Sequence, residues 1–428
     1  MSIEATHRAI DAVWRIESAR LIAALARRVG DIGLAEDLAQ DALVAALERW
    51  PETGIPDNPA AWLMAAAKHR AIDQFRRNRR VEEKHAQIGH ELMDAAQDAP
   101  DFDSPLDDQI GDDLLRLIFT ACHPVLSTEA RVALTLRLLG GLTTEEIARA
   151  FLVPTSTVAQ RIVRAKRTLA EARVPYEVPR GAELVERLAS VLEVVYLIFN
   201  EGYAATAGED WVRPALCEDA LRLGRILAEL APQEPEVHGL VALMEIQASR
   251  LRARVGRGGE PVLLLDQDRS RWDRILITRG LAALARAEAL GGALGAYALQ
   301  AAIAACHARA NTAAETDWAR IAALYEALSR ITRSPVVELN RAVAVGKAFG
   351  PAAGLQVAND LLGVPALASY HLLPAVRAEL LSELGRPTEA RTELERAITL
   401  TRNESERRLL RARIARLAAG DAEEAPRG

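Results

Sequence analysis

At 428 residues the chain is too long for one ordinary core and has room for three or more domains of modest size. Half of its residues are hydrophobic yet only 4% are aromatic, and Ala, Leu, Arg and Glu dominate, the palette of helices packed through small side chains, so an all-α fold is expected. A net charge of −6 excludes binding to nucleic acid through overall charge; any such binding has to come from local basic stretches.

Helical periodicity runs from about Thr6 to Trp50, breaks at PETGIPDNP (Pro51 to Pro59), and resumes to roughly Gln87. Within the first stretch, GLAEDLAQDALVAALERW places Leu38, Ala42 and Ala45 on one face and Asp37, Gln40, Asp41 and Glu48 on the other. That acidic strip does not face DNA; it either solvates the surface or docks on a basic protein partner. Asn58 followed by Pro59 predicts a helix start, with Asn capping the orphan amides and Pro fitting the first helical position. In the helix that follows, Met64, Ala67, Ala71 and Phe75 form an apolar stripe, while Trp62, His69, Arg70, Asp73, Arg76, Arg77 and Arg80 gather opposite. Cations can track phosphates there while an exposed Trp stacks an unpaired base. The plainer alternative is that Trp62 anchors the core and the arginines solubilise a helix end.

Next comes ELMDAAQDAPDFDSPLDDQIGDD (Glu91 to Asp113), whose like charges and weak apolar content predict a linker. Helices return from Leu114 to about Arg173. Here GLTTEEIARAFLVPTSTVAQRIVRAKRTLAEA reads as a helix-turn-helix: Thr143 and Thr144 cap a short helix bearing Ile147, Ala148 and Phe151, and the break at Val153-Pro154 leads through Thr155-Ser156 into a second helix. Val158, Ile162, Ala165 and Leu169 face inward, leaving Thr155, Ser156, Thr157, Gln160, Arg161, Arg164 and Arg167 to the outside. Such a face fits the major groove, where Arg forks onto guanine and Gln pairs with adenine. A solvated amphipathic helix with ordinary surface arginines is the alternative.

VPYEVPRG (Val174 to Gly181) marks a further boundary, and from about Ala182 to Leu417 amphipathic segments alternate with breaks at Ala231-Pro232, Gly256 to Gly259, Gly291-Gly292 and Gly363 to Pro365. Antiparallel helix pairs are expected. The last pair, LLSELGRPTEARTELERAITL, has tetratricopeptide-like spacing without the closing proline of that motif.

Together, EDLAQD, NPAAWL…HRAIDQFRRNRR, an acidic linker and LTTEEIA…TVAQRIVRAKRTL resemble the two domains of group IV, extracytoplasmic-function sigma factors, over about Ala5 to Arg173. The resemblance implies sigma domain 2 at 1–88, a linker at 89–113 and sigma domain 4 at 114–176. It also implies core RNA polymerase, through its clamp helices and flap, and promoter DNA as partners. Asp37, Leu38, Gln40 and Asp41 would meet the clamp. Asp57, Asn58, Trp62, His69, Arg70, Asp73, Arg76, Arg77 and Arg80 would melt and capture the −10 element. The helix from Thr155 to Arg167 would read the −35 element, and the acidic linker would thread toward the polymerase active-site cleft. One departure is Pro154, which stands where such factors usually start this helix with Ser.

From 182 to 428 the chain resembles the helical, tetratricopeptide-like extension of one subgroup of these factors. The matching stretches are VVYLIFNEGYAAT, ALCEDALRL, DQDRSRWDR, QAAIAACHA, TDWARIAALYEAL and SPVVELNRAVAVG. That resemblance implies control of activity by the extension in place of a separate membrane anti-sigma factor, and an intramolecular contact between extension and sigma domains is an expectation of the same kind. A stand-alone helix-turn-helix regulator, or a helical-repeat ligand-sensing scaffold, is the alternative; the acidic strip and the basic Trp62 helix have no use in either.

Polar residues of the extension, Asn200, Glu201, Asp266, Asp268, Arg269, His307, Asp317, Asn340 and His371, invite an enzymatic reading, but no nucleophile motif, phosphate loop or metal-ligand spacing accompanies them. His307 reads as a satisfied core histidine, and DQDRSRWDR as a capped helix start with Arg/Asp pairs tying adjacent helices. Cys122, Cys217 and Cys306 lie far apart without CxxC or His/Cys spacing, which points to buried thiols and away from disulfides or zinc. No signal-peptide pattern or membrane-length apolar run is present. A cytoplasmic protein with no membrane partner, cofactor, metal or catalysis is expected.

Overall fold

A computed structural model of the chain describes residues 3–86, 110–151, 153–204, 212–256, 261–401 and 403–424. Among the described residues every regular element is helical, and the sole β feature is an isolated bridge between Val255 and Pro261. The all-α expectation holds. The chain divides into two compact units, Met1–Val194 and Val195–Gly428.

In the first unit, α1 (Ile3–Val29) packs on α2 (Ile32–Thr53), which packs on α3 (Pro59–Ala86). The periodic stretch that reads as one pattern from Thr6 to Trp50 is thus two helices. Apolar residues continue on both sides of the break, so the pattern does not reveal it. Gly30 makes the turn with a left-handed backbone (φ +68°), and Asp31 restarts the helix by accepting the Leu34 N–H at 2.7 Å. The second helix also outlasts its expected end at Trp50. Pro51 is carried inside it and Gly54 (φ +84°) closes it, donating its N–H to the Trp50 carbonyl at 3.0 Å.

The helices α4 (Ile110–Ala121), α5 (Thr128–Leu138), α6 (Thr144–Phe151) and α7 (Thr155–Glu171) follow. The first of them starts inside the expected linker, most of which (87–109) lies outside the described residues. Asp113, read as part of an acidic solvated run, is instead 2% exposed and pairs with Arg27 of α1 at 3.3 Å and Arg116 at 2.7 Å. Burial nonetheless raises its pKa, against the pull of the two arginines. The Tyr176 hydroxyl, beyond α7, donates to the carbonyls of Ala23 at 3.0 Å and Asp113 at 2.9 Å, fastening α1, α4 and the post-α7 segment together.

Helix α8 (Gly181–Tyr203) begins where the second Pro/Gly break ends, yet its first half belongs to the first unit. Ser190 donates to the Cys122 carbonyl at 2.6 Å, Arg187 to the Phe119 carbonyl at 3.3 Å, and Glu193 pairs with Arg131 at 3.0 Å.

The second unit continues with α9 (Pro214–Leu230), α10 (Pro235–Ala248), α11 (Arg274–Ala289), α12 (Ala296–Arg309), α13 (Trp318–Thr332), α14 (Pro335–Phe349), α15 (Pro351–Asp360), α16 (Leu372–Glu383), α17 (Pro387–Leu400) and α18 (Glu404–Glu424). Helices adjacent in sequence pack on one another almost throughout. Proline opens α9, α10, α14, α15 and α17, where its missing N–H costs nothing. The expected breaks at 231–232, 291–292 and 363–365 fall between helices; of the expected break at 256–259, residues 257–259 lie outside the described residues. Small side chains let the helices approach: Ala242, Ala301, Ala304, Ala305 and Ala308 share one core with Trp272, and Ala342, Ala358, Ala378, Ala390 and Ala397 share another with Leu394.

All three cysteines are free and buried. Burial pushes Cys122 up to about 11, Cys217 up to about 12, and Cys306 upward as well. Among the described residues no helix is long and apolar enough to cross a membrane.

Candidate nucleic-acid and partner surfaces

The helix-turn-helix is built as its sequence requires. Thr143 Oγ1 accepts the Glu146 N–H at 3.1 Å while Glu146 Oε2 accepts the Thr143 N–H at 2.8 Å, a reciprocal capping box that starts α6. Ile147 and Ala148 are buried, and Phe151 is half-buried. In α7 the residues Val158, Ile162, Ala165 and Leu169 are buried, the set the spacing predicts. Thr155, Ser156, Gln160, Arg164 and Arg167 are exposed, and Thr157 and Arg161 are half-buried. Pro154 is the N-cap of α7 and no side chain caps this end. The first-turn amides, flanked by the exposed Thr155 and Ser156, are therefore not taken up by a side-chain cap, the arrangement that suits a phosphate.

Asn58 starts α3 by accepting the Ala61 N–H at 3.0 Å, and Asp57 beside it is exposed. Leu63, Ala67 and Ala71 are buried, with Met64 half-buried; the side chain of Phe75 lies outside the described residues. His69, Arg70, Asp73 and Arg76 are exposed; Arg77 and Arg80 are on α3 with side chains outside the described residues. Trp62 is neither fully exposed nor the core anchor. It is half-buried, edge-on to Trp50 with ring centroids 5.3 Å apart, and Trp50, at 1% exposure, is the anchor.

On α2, Asp37 and Asp41 keep 74% and 52% of their side-chain surface exposed, and Gln40 is half-buried. Leu38, expected to meet a partner, is 1% exposed and packs inward, so in this conformation it has no surface to offer. The sequence reading missed Glu36. It is 3% exposed, yet its carboxylate lies 2.6 Å from Arg137 Nε of α5 and 2.5 Å from Lys166 Nζ of α7, and it also accepts from the Gln40 amide. Lys166 reaches Asp37 at 3.8 Å, Arg70 reaches Asp41 at 3.7 Å, and Arg15 of α1 pairs with Glu146 of α6 at 2.8 Å. Ion pairs thus join the three-helix part to the helix-turn-helix within the first unit. The signal for Glu36 was its place on the border of the Ala35, Ala39, Ala42 stripe, a poor site for an unpaired carboxylate.

Residues 16–81, spanning most of α1 through α3, match the family described as Sigma-70 region 2, and residues 116–169, spanning most of α4 through α7, match Sigma-70, region 4. The chain therefore carries matches to both sigma-70 regions, and over that part it is similar to extracytoplasmic-function sigma factors. Among curated relatives, the probable ECF RNA polymerase sigma factor SigI of Mycobacterium tuberculosis (strain ATCC 25618 / H37Rv) is 31% identical over 170 residues, which is 39% of this chain and 57% of SigI. The ECF RNA polymerase sigma factor SigK of Mycobacterium ulcerans (strain Agy99) is 29% identical over 154 residues, 35% of this chain and 78% of SigK. The uncharacterized protein R00370 of Rhizobium meliloti (strain 1021) is 44% identical over 401 residues, covering 92% of this chain and 93% of R00370. Residues 187–288 of the chain match a family of unknown function, DUF6596. No solved structure matches.

Proposed function

We propose that this chain is a sigma factor that binds core RNA polymerase through the acidic strip of α2, opens promoter DNA with α3, reads the upstream promoter element with α7, and is controlled by its helical extension. The observation that carries the reading is the construction of α7: a buried apolar face, an N-terminus without a side-chain cap, and an outward face of Gln160, Arg161, Arg164 and Arg167. Asp37, Gln40 and Asp41 form the docking strip for the clamp helices. Asp57, Asn58, Trp62, His69, Arg70, Asp73, Arg76, Arg77 and Arg80 handle the melted −10 strand, with Trp62 offering a ring beside the buried Trp50. Thr155, Ser156 and Thr157 hold phosphate beside the −35 bases. Because Lys166 of α7 already engages Glu36 and Asp37, polymerase docking on the strip competes with that contact.

The extension is a tetratricopeptide-like control domain, a reading supported by the succession of packed helices and by the α16–α17 turn, made by Gly385 (φ +69°) just before Pro387 opens α17. The deciding experiment is run-off transcription with core polymerase on a library of promoter fragments, comparing the full chain with a truncation after Tyr203. Cutting nearer Val178 would strip the Arg187, Ser190 and Glu193 contacts from the first unit. Protein-dependent transcripts support sigma activity, and a changed yield on truncation gives the sign of control. Absence of both transcripts and core binding favours a stand-alone regulator.

A further inference from the structure

The second unit buries two guanidiniums that make no ion pair with a carboxylate among the described residues. Arg250, just after α10, and Arg269, in the turn before α11, are each 8% exposed. Arg250 donates to the Tyr203 hydroxyl at 2.5 Å and to Gln247 Oε1. Arg269 donates to the carbonyls of His307 at 2.5 Å and Ala310 at 2.6 Å, and to Thr316 Oγ1 at 3.2 Å. The sequence suggested Arg/Asp pairing for this segment; the structure gives Arg269 neutral partners instead. Both guanidiniums lie over the Trp272 ring, 5.7 Å and 4.9 Å from its centroid, and Arg254 lies 3.8 Å over Tyr203. Glu315 acts on Arg269 only through space, its oxygens being engaged by the Asn311 N–H and the Thr312 hydroxyl.

Guanidiniums stripped of water are costly unless an anion compensates them, and like charges in one dry cluster aggravate the cost. The neighbourhood bears the mark of that field: burial first, then Arg250 and Arg269, push His307 down to about 3. Three buried nitrogens here, Arg250 Nε, Trp272 Nε1 and His307 Nδ1, find no hydrogen-bond partner among the described residues, and all three side chains are more than nine-tenths buried. Orphaned donors beside uncompensated cations are what an oxyanion satisfies, since each guanidinium offers a planar fork of N–H groups.

We propose that this cluster binds a small solute bearing an oxyanion, a phosphate or carboxylate group, with Arg250 and Arg269 supplying charge and the Trp272 indole N–H a further donor. The extension would then sense a soluble anionic ligand. The site does not depend on the promoter-binding reading and stands or falls separately from it.

The test is thermal unfolding and titration calorimetry of the full chain with inorganic phosphate and with acetate, against chloride at equal ionic strength. Saturable binding and a rise in melting temperature with at least one of the two are expected for the wild type and for Arg252→Ala, an exposed neighbour. Arg250→Met removes that rise. Trp272→Phe keeps the ring but deletes the indole N–H and weakens binding, which covers the case in which Arg250→Met fails to fold. No response of the wild type to either anion, or an equal response in Arg250→Met and Trp272→Phe, overturns the proposal.

Discussion

Lys166 on α7 lies 2.5 Å from the buried carboxylate of Glu36 on α2, the helix that carries the acidic strip. Arg137 completes the triad at 2.6 Å. Removing the one acid leaves two cations facing each other, so Glu36→Gln is expected to lower unfolding stability in urea by about 3 kcal/mol, the scale for breaking a buried pair from one side. Lys166→Met should cost less, because Arg137 still compensates Glu36. Equal stability of Glu36→Gln and wild type would mean that the triad does not hold the two parts together in solution.

Contacts of two kinds are expected from the basic helices. Arg161→Ala should cost ~1–3 kcal/mol at one base pair and relax preference there alone. Arg76→Ala should weaken binding evenly across sequences and lower the salt slope by about one unit. Holoenzyme affinity for promoters carrying single base-pair changes, measured at several salt concentrations, separates the two. An unchanged preference in Arg161→Ala would refute the recognition-helix assignment.

Trp50 and Trp62 touch, but different work is expected of them. Trp50→Ala empties a site that is 1% exposed and should destabilise the protein by about 3–5 kcal/mol. Trp62→Ala removes a half-buried ring and should leave most of that stability while impairing strand opening, read by permanganate reactivity of unpaired thymines. Wild-type opening by Trp62→Ala would remove Trp62 from the melting surface.

His307 predicts a pH dependence with a definite sign. Its folded pKa of about 3 lies below the ordinary value of 6.5, so the unfolded chain binds more protons between those limits. The stability that depends on neutral His307 is therefore complete above pH 6.5 and is lost as pH falls toward 3. Acidifying from pH 6.5 to 5 should remove up to about 2 kcal/mol by this group, at 1.36 kcal/mol per pH unit. Denaturation of His307→Gln across the same range should show a shallower slope; an identical slope would assign the effect elsewhere.

Much of this was legible in the sequence, because helical spacing reports which residues face inward. The buried set of α7, the Thr143 cap and the Asn58 cap follow from short-range rules. Beyond its place at the border of the apolar stripe, the role of Glu36 was not legible, since its partners Arg137 and Lys166 are distant in sequence and periodicity says nothing about charges meeting across helices. His307 was readable as buried, but not as lacking a partner at Nδ1 or as facing Arg250 and Arg269, which arrive from other segments. The break at Gly30 was hidden because apolar spacing runs on through both helices.

The buried thiols carry a consequence for signalling. A cysteine responds to peroxide or to an electrophile only after it loses its proton and meets the reagent. Cys122, Cys217 and Cys306 are hindered on both counts, being enclosed and held in the thiol form. The cysteines of the folded chain are thus poorly placed to register oxidants directly.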